Sequence, residues 1–152
     1  QVVRNMIRHM GQKKTILLST HLLEEVEAVC SRIVIISSGK LVVDGTPSEL
    51  RRRSHTYNQM TLDIVAPLGE ATQAFEQLGD VRKVEHIQTR SERQTFRLTP
   101  KDGQPLAMQV LELARGRKWL VTDLQTSLGC LDDVFLSLTT TADGSDVARK
   151  ED

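Results

Sequence analysis

Between Met60 and Thr126 the spacing of apolar residues changes period in a set order, and that order leaves few folds open. Met60, Leu62, Ile64 and Ala66 alternate with Thr61 and Asp63, the pattern of a half-buried strand. Leu68, Ala71, Phe75 and Leu78 then fall at helical spacing and stop at Gly79. Two strands over 81–89 and 94–99 are joined by the polar turn 90–93. A helix carrying Leu106, Val110, Leu113 and Ala114 comes next, ending near Gly116, and then a last strand over 120–126. The order β-α-β-β-α-β is that of a ferredoxin-like split sandwich. After it stands a short helix with Leu131, Val134, Phe135 and Leu138 on one face. From Thr140 to Asp152 no periodicity remains, and this tail is expected to be disordered.

Residues 1–54 obey a different rule. Val2, Val3, Met6, Ile7 and Met10 repeat at helical spacing, with Gly11 as the stop. Ile16, Leu17 and Leu18, and later Ile33 to Ile36, are apolar at consecutive positions, which predicts strands buried on both faces, as in a parallel sheet. Between them lies a helix with Leu22, Leu23, Val26, Val29 and Cys30 inward. Its glutamates Glu24, Glu25 and Glu27 face outward or toward its positive N-terminal end. Ser38-Gly39-Lys40 turns into a strand over Leu41–Val43, and Asp44-Gly45 turns again. Thr46-Pro47-Ser48-Glu49 is a helix start: Thr46 caps, Pro47 suits the first turn and Glu49 closes a capping box. The charged stretch Arg51 to Ser54 reads as a hinge. The expected organisation is α/β, with one domain over 1–54, a ferredoxin-like domain over 55–139, and the tail 140–152.

Composition removes several classes of function. Lys plus Arg and Asp plus Glu number 20 each, so the basic excess of a nucleic-acid binder is missing. No apolar run approaches the roughly 20 residues that span a bilayer, and Gln1 to Met10 mix Arg and His as no signal peptide does. Cys30 and Cys130 stand far apart in unrelated segments, so a disulfide framework is not expected and a reducing compartment fits. No CxxC or HxxxH spacing occurs, and no structural metal is expected. The chain starts inside a helical pattern without an initiator Met and is therefore expected to be a piece of a longer protein.

The stretch Thr15-Ile-Leu-Leu-Ser-Thr-His21-Leu-Leu-Glu-Glu-Val-Glu-Ala28 resembles the switch (H-loop) region of ABC ATPases. Arg32-Ile-Val-Ile-Ile36, Gly39-Lys40-Leu41 and Asp44-Gly45-Thr46-Pro47-Ser48-Glu49-Leu50 are similar to the segment downstream of that region in the family, in order and at family spacing. The second half resembles the extra C-terminal domain of ABC-2 type export ATPases, among them gliding-motility and drug- or antibiotic-export subunits. Leu131-Asp-Asp-Val-Phe-Leu-Ser-Leu-Thr139 is similar to its closing motif. The resemblance implies the C-terminal part of an ABC transporter ATP-binding subunit, peripheral at the cytoplasmic face of the cell membrane. It implies ATP and Mg2+ as cofactors of the whole subunit, a membrane permease as partner, and a second copy closing head to tail around two ATP molecules. It also implies that His21 is both the catalytic residue and the nucleotide contact, touching the γ-phosphate and helping to align the attacking water.

Departures from the family pattern matter equally. A P-loop needs glycines whose amides cradle phosphate and a Lys that reaches it. Gly39-Lys40 is no such Lys, because Val34 stands where the first glycine belongs and a strand comes after it. No Ser-Gly-Gly signature and no apolar strand ending in Asp-Glu precede His21, and Ser31 replaces the usual Asp before Arg-Ile. The chain alone is therefore expected to be inert. An alternative reading is a non-enzymatic dimerisation or regulatory module built on the ferredoxin-like domain, and a third is a small-molecule sensor with residues 1–54 as a dimerising arm. Among other candidates, His9, His55 and His86 have no partners at useful spacing and are expected at the surface. Arg51, Arg52 and Arg53 suit the negative end of a helix, and Asp132 and Asp133 the positive end of the next. Cys30 and Trp119 are expected to pack in the interior.

Overall fold

Residues 2–143, and the side chains of residues 2–138, are described by a computed structural model. The chain divides into two units: residues up to Arg53 with those from Leu131 onward, and Ser54–Cys130 between them. The described residues form a mixed α/β fold with six helices and six strands in two antiparallel sheets. No helix among them is long and apolar enough to cross a membrane.

The first unit contains α1 (Val2–Gly11), α2 (Leu23–Val29), β1 (Ile33–Ser37), β2 (Lys40–Gly45) and α3 (Pro47–Arg51). β1 and β2 form an antiparallel hairpin. Ser38 and Gly39, at φ 50° and 72°, make the two-residue turn between Ser37 and Lys40. Positive φ at both positions is what a tight hairpin requires. Lys40 thus opens a strand. The capping box forms as expected: Thr46 Oγ1 accepts from Glu49 N at 3.3 Å, while Glu49 Oε2 accepts from Thr46 N at 2.8 Å. Ahead of it, Gly45 lets the backbone approach Leu50, whose Cδ1 would lie 2.9 Å from an added Cβ.

The parallel sheet expected here is replaced by that hairpin. Ile33, Ile35 and Val43 are buried, but Val34, Ile36 and Leu41 are exposed, so one face is covered and the other is not. Ile16 to Leu18 join no strand, and Leu17 is 97% exposed. A strand apolar on both faces needs ladder neighbours and a layer on each side. The described residues of this unit supply one hairpin and short helices.

The second unit contains β3 (Met60–Val65), α4 (Leu68–Glu76), β4 (Val81–Arg90), β5 (Arg93–Pro100), α5 (Ala107–Gly116) and β6 (Leu120–Thr126). Its strands lie in the order β4-β5-β3-β6, all neighbours antiparallel, which is the ferredoxin-like arrangement. Met60, Leu62 and Ile64 share one face of β3 and pair with Leu98, Phe96 and Gln94. Ala71 and Phe75 of α4 and Val110 and Ala114 of α5 join them in one core. Phe75 meets Phe96 edge-on at 5.2 Å and Trp119 at 6.3 Å between ring centroids, so Trp119 packs against the core as expected. Buried polar side chains on β5 are satisfied: Thr95 Oγ1 donates to Asp63 Oδ1 at 2.7 Å, and Thr99 Oγ1 accepts from Gln59 Nε2 at 3.1 Å. The incoming and outgoing chain are tied together by Asn58 N to Ser127 O at 2.9 Å and Ser127 N to Gln59 O at 2.8 Å.

The last helix, α6 (Leu131–Asp143), returns to the first unit. The sequence pattern places it with the second domain. Instead Leu131 and Leu138 pack with Ile33, Ile35, Val43 and Leu50. The dry face of the four-stranded sheet already has α4 and α5, whereas the hairpin has one face left to cover. Helix geometry also continues through Asp143, past the predicted start of the tail at 140. The rest of that predicted disordered tail, 144–152, lies outside the described residues.

Candidate functional site

His21 lies in the irregular segment between α1 and α2, two residues before Leu23, and its side chain is exposed. The buried strand predicted to deliver it is not formed. What holds the segment is local: Thr20 Oγ1 accepts from Leu22 N at 3.1 Å, and Leu22 O accepts from Glu25 N and Val26 N as α2 begins. Glu24 and Glu25 stand in the first turn, at the positive end of the helix, as predicted.

Arginines surround α2, and sequence spacing does not reveal them as partners. Arg4 of α1 grips Glu25 with both ends of its fork, Nε to Oε2 at 2.9 Å and Nη2 to Oε1 at 2.7 Å. The hydrogen bonds from Arg4 hold the Glu25 carboxyl below its ordinary range and raise the guanidinium in turn. Arg8, one turn further on, donates Nε and Nη2 to Ala28 O at 3.2 and 2.5 Å. Arg51 of α3 stands 3.7 Å from Glu27, so it pairs with a side chain of another helix besides sitting at the end of its own. Further along, Arg32 forks onto Asp44 at 2.6 and 2.5 Å across the hairpin and depresses that carboxyl by the same means. An open cleft beside this pair is lined by Ser31, Arg32, Asp44, Gly45, Thr46 and Glu49. Glu49 is held below its ordinary value by the Thr46 backbone N–H and then by its hydroxyl.

The groups that a phosphate or a metal could use here already have partners or other duties among the described residues. The glycine turn opens a strand, and the acids nearest the cleft are engaged by Arg32 and by the capping box. No group of three His, Cys, Asp or Glu side chains converges as metal ligands among the described residues.

Of the remaining candidates, His9 and His55 are exposed. His86 is exposed, as expected, but it has partners: its ring meets Phe96 at 5.5 Å, and its Nε2 lies 3.1 Å from both Gln94 Oε1 and Thr89 Oγ1. The β-bulge between His86 and Gln88 turns these groups together, and no spacing rule shows such a bulge in advance. Cys30 ends α2 half-buried. Asp132 and Asp133 open α6 as predicted.

No family model matches the chain. It is 31% identical over 124 residues to Phospholipid-transporting ATPase ABCA7 of Homo sapiens, covering 81% of this chain and 6% of that protein. It is 31% identical over 150 residues to ABC transporter A family member 4 of Arabidopsis thaliana, covering 90% of this chain and 15% of that protein. Nod factor export ATP-binding protein I of Paraburkholderia xenovorans is 44% identical over 41 residues, 27% of this chain and 14% of that protein. The homologues of this chain are the ATP-binding proteins of ABC transporters. The matched stretches span a small part of each ABC protein's length, 15% at most among these three. At 81% and 90% of the chain, the ABCA-type matches necessarily run through both units.

Proposed function

We propose that the chain is the C-terminal segment of the ATP-binding subunit of an ABC exporter, and that His21 senses the γ-phosphate of bound ATP. The observation that carries this is the continuous similarity to ABC ATP-binding proteins across both units. ATP and Mg2+ are cofactors of the whole subunit, which couples hydrolysis to export through a membrane permease from the cytoplasmic face of the membrane. A neutral imidazole donates a hydrogen bond to a phosphate oxygen without carrying charge of its own, and the exposed position of His21 leaves it accessible to a ligand.

In the full-length subunit, His21→Ala should leave ATP binding largely intact and cut turnover on the order of a hundredfold. That is about 3 kcal/mol, the usual cost of one transition-state contact. Steady-state ATPase kinetics check it, and near-normal turnover would remove His21 from the mechanism. The 152-residue chain alone should bind no MgATP in calorimetric titration. Micromolar binding that survives His21→Ala would reveal a site made by other residues.

The partner chemistry is set by uncovered apolar surface. Val2, Val3, Met6 and Met10 of α1 are exposed, as are Leu17 and Ile36. Left wet, each such side chain forgoes roughly 1.5 to 3 kcal/mol. The isolated chain should therefore self-associate as a homodimer through residues 1–54, while a chain beginning at Tyr57 should not. Light scattering on the two separates this from a second reading, in which the ferredoxin-like domain is itself the dimerisation module. The second reading needs Ser54–Cys130 to fold by itself, which its own core allows.

A further inference from the structure

We propose that Arg4 and Arg8 are positioning residues for His21, clamping α2 at both ends so that the segment just before it is held in one place. The proposal rests on His21 acting at the γ-phosphate.

α2 has little that would fix it otherwise. It is seven residues long, none of them fully buried, and Leu22 at its N-cap makes no side-chain capping bond. A helix that short is not stable by itself and takes its orientation from tertiary contacts. Leu23 and Val26 pack only partly against the hairpin cluster. The directional contacts at its two ends come from α1, and Arg51 of α3 adds a looser pair with Glu27 at 3.7 Å. Arg4 and Arg8 are four residues apart and so lie on one face of it. The Arg4 fork takes both oxygens of Glu25 in the first turn of α2, and the two Arg8 N–H groups converge on the Ala28 carbonyl in the last. That carbonyl is one of those a helix leaves without an internal partner, and a cation there also suits the helix dipole. A two-point fork fixes angle as well as distance, which a single ammonium does not.

The link to His21 is short. Glu25 is four residues from it, and the bonds Glu25 N to Leu22 O and Leu22 N to Thr20 Oγ1 fasten the residues between. Releasing either end of α2 frees the segment that carries the imidazole. A donor displaced by about 1 Å from a reacting group can lose much of its effect even when the change lies far from the chemistry.

The test is made in the full-length ATP-binding protein that contains this segment, with ATP turnover and amide hydrogen exchange measured on the same variants. Arg4→Glu should accelerate exchange over Leu22–Val29 and lower kcat on the order of tenfold, with KM for ATP unchanged. The exchanged pair Arg4→Glu/Glu25→Arg should recover both. Arg4→Lys and Arg8→Lys keep the charge but lose the fork, so they should fold normally and still lower kcat. They decide the matter if the charge reversal does not fold. Wild-type kcat in Arg4→Lys and Arg8→Lys, or an exchanged pair that recovers exchange but not kcat, overturns the proposal. His21→Ala is the control. Lost turnover there beside normal turnover in the arginine variants sinks the positioning role alone. Normal turnover in His21→Ala beside accelerated exchange in Arg4→Glu sinks the role of His21 and, with it, what the clamp is for.

Discussion

The two units bury their apolar residues with different success. In Ser54–Cys130, every large apolar side chain on the dry face of β3 and β5 is covered, and Phe75, Phe96, Leu106 and Val110 are fully enclosed. In the other unit the buried cluster is Ile33, Ile35, Val43, Leu50 and Leu131, while α1 has no buried residue at all. The second unit is a sequence whose hydrophobic pattern is answered within its own length. The first is a sequence whose pattern asks for neighbours. Apolar area counts toward stability only when it leaves water. The two units should therefore differ most in how they respond to losing one core side chain.

The largest effect is expected at Phe75→Ala. Phe75 touches both Phe96 and Trp119, so its loss removes packing and leaves a cavity, a change that costs about 3 to 5 kcal/mol. Thermal unfolding followed by Trp119 fluorescence should shift strongly downward, while exchange protection over β1 and β2 stays unchanged. A simultaneous loss in both units would mean that they do not fold as separate cores.

Leu131→Ala sharpens the comparison from the other side. Leu131 comes after the second unit in sequence but packs with Ile33, Val43 and Leu50. Substitution should cost about 2 kcal/mol, the low end for a buried Leu because the cluster is small. The loss should fall on amide protection in β1, β2 and α3, with β3 to β6 unaffected. Loss of protection in β3 to β6 instead would put the last helix back with the ferredoxin-like domain, where its sequence position suggests it belongs.

Sequence is informative in some of these places and silent in others. Met60 to Thr126 is legible because period-2 and period-3.6 patterns alternate and each element finds its partner nearby in the chain. Ile16 to Leu18 mislead because consecutive apolar residues report only that a strand wants cover on both faces, not whether cover is present. The destination of α6 is invisible, since its apolar stripe at Leu131, Val134 and Leu138 fits any open apolar face. The residue proposed for function, His21, is found through the motif around it. The arginines of α1 that hold α2 escape notice, because Arg4 to Glu25 spans 21 residues and nothing in the sequence pairs them.

Thr46→Ala tests the one element of the first unit that is locally complete. The capping box and Pro47 set the start of α3 without help from neighbours. Removing the Thr46 hydroxyl should cost about 1 kcal/mol, seen as faster exchange over α3 and little change in overall melting. Thr46→Ser should restore it. An effect several times larger would mean that α3 holds the unit together through Leu50 more than its length suggests.

The smallest effect expected is on acidification, and it bears directly on the contrast between the units. In the first unit, Glu25, Asp44 and Glu49 are all held below their ordinary values, by hydrogen bonds from Arg4, from Arg32 and from the Thr46 backbone respectively. In the second, Glu85 is lowered by its hydrogen bond from Lys83. A carboxyl whose folded value is depressed adds stability that is fully present above its unfolded value, about 4. That contribution is lost as pH falls through the folded value. All these pairs are solvent-exposed, so each adds little and is weakened further by salt. Stability should be flat from neutral pH down to about 5 and then decline below about 4, with the first unit yielding before the second. Two probes can tell the units apart, because Trp119 and Tyr57, the chain's single Trp and Tyr, both lie in Ser54–Cys130. Far-ultraviolet circular dichroism reports both units, whereas Trp119 fluorescence reports the second alone. As pH falls, the dichroism should begin to change while the fluorescence holds, and Arg32→Gln should move the first change to higher pH, because the stability Asp44 draws from its partner is gone. Coincident transitions by the two probes, unmoved by Arg32→Gln, would show that the exposed arginine pairs do not stabilise the first unit and that the two units share one cooperative fold.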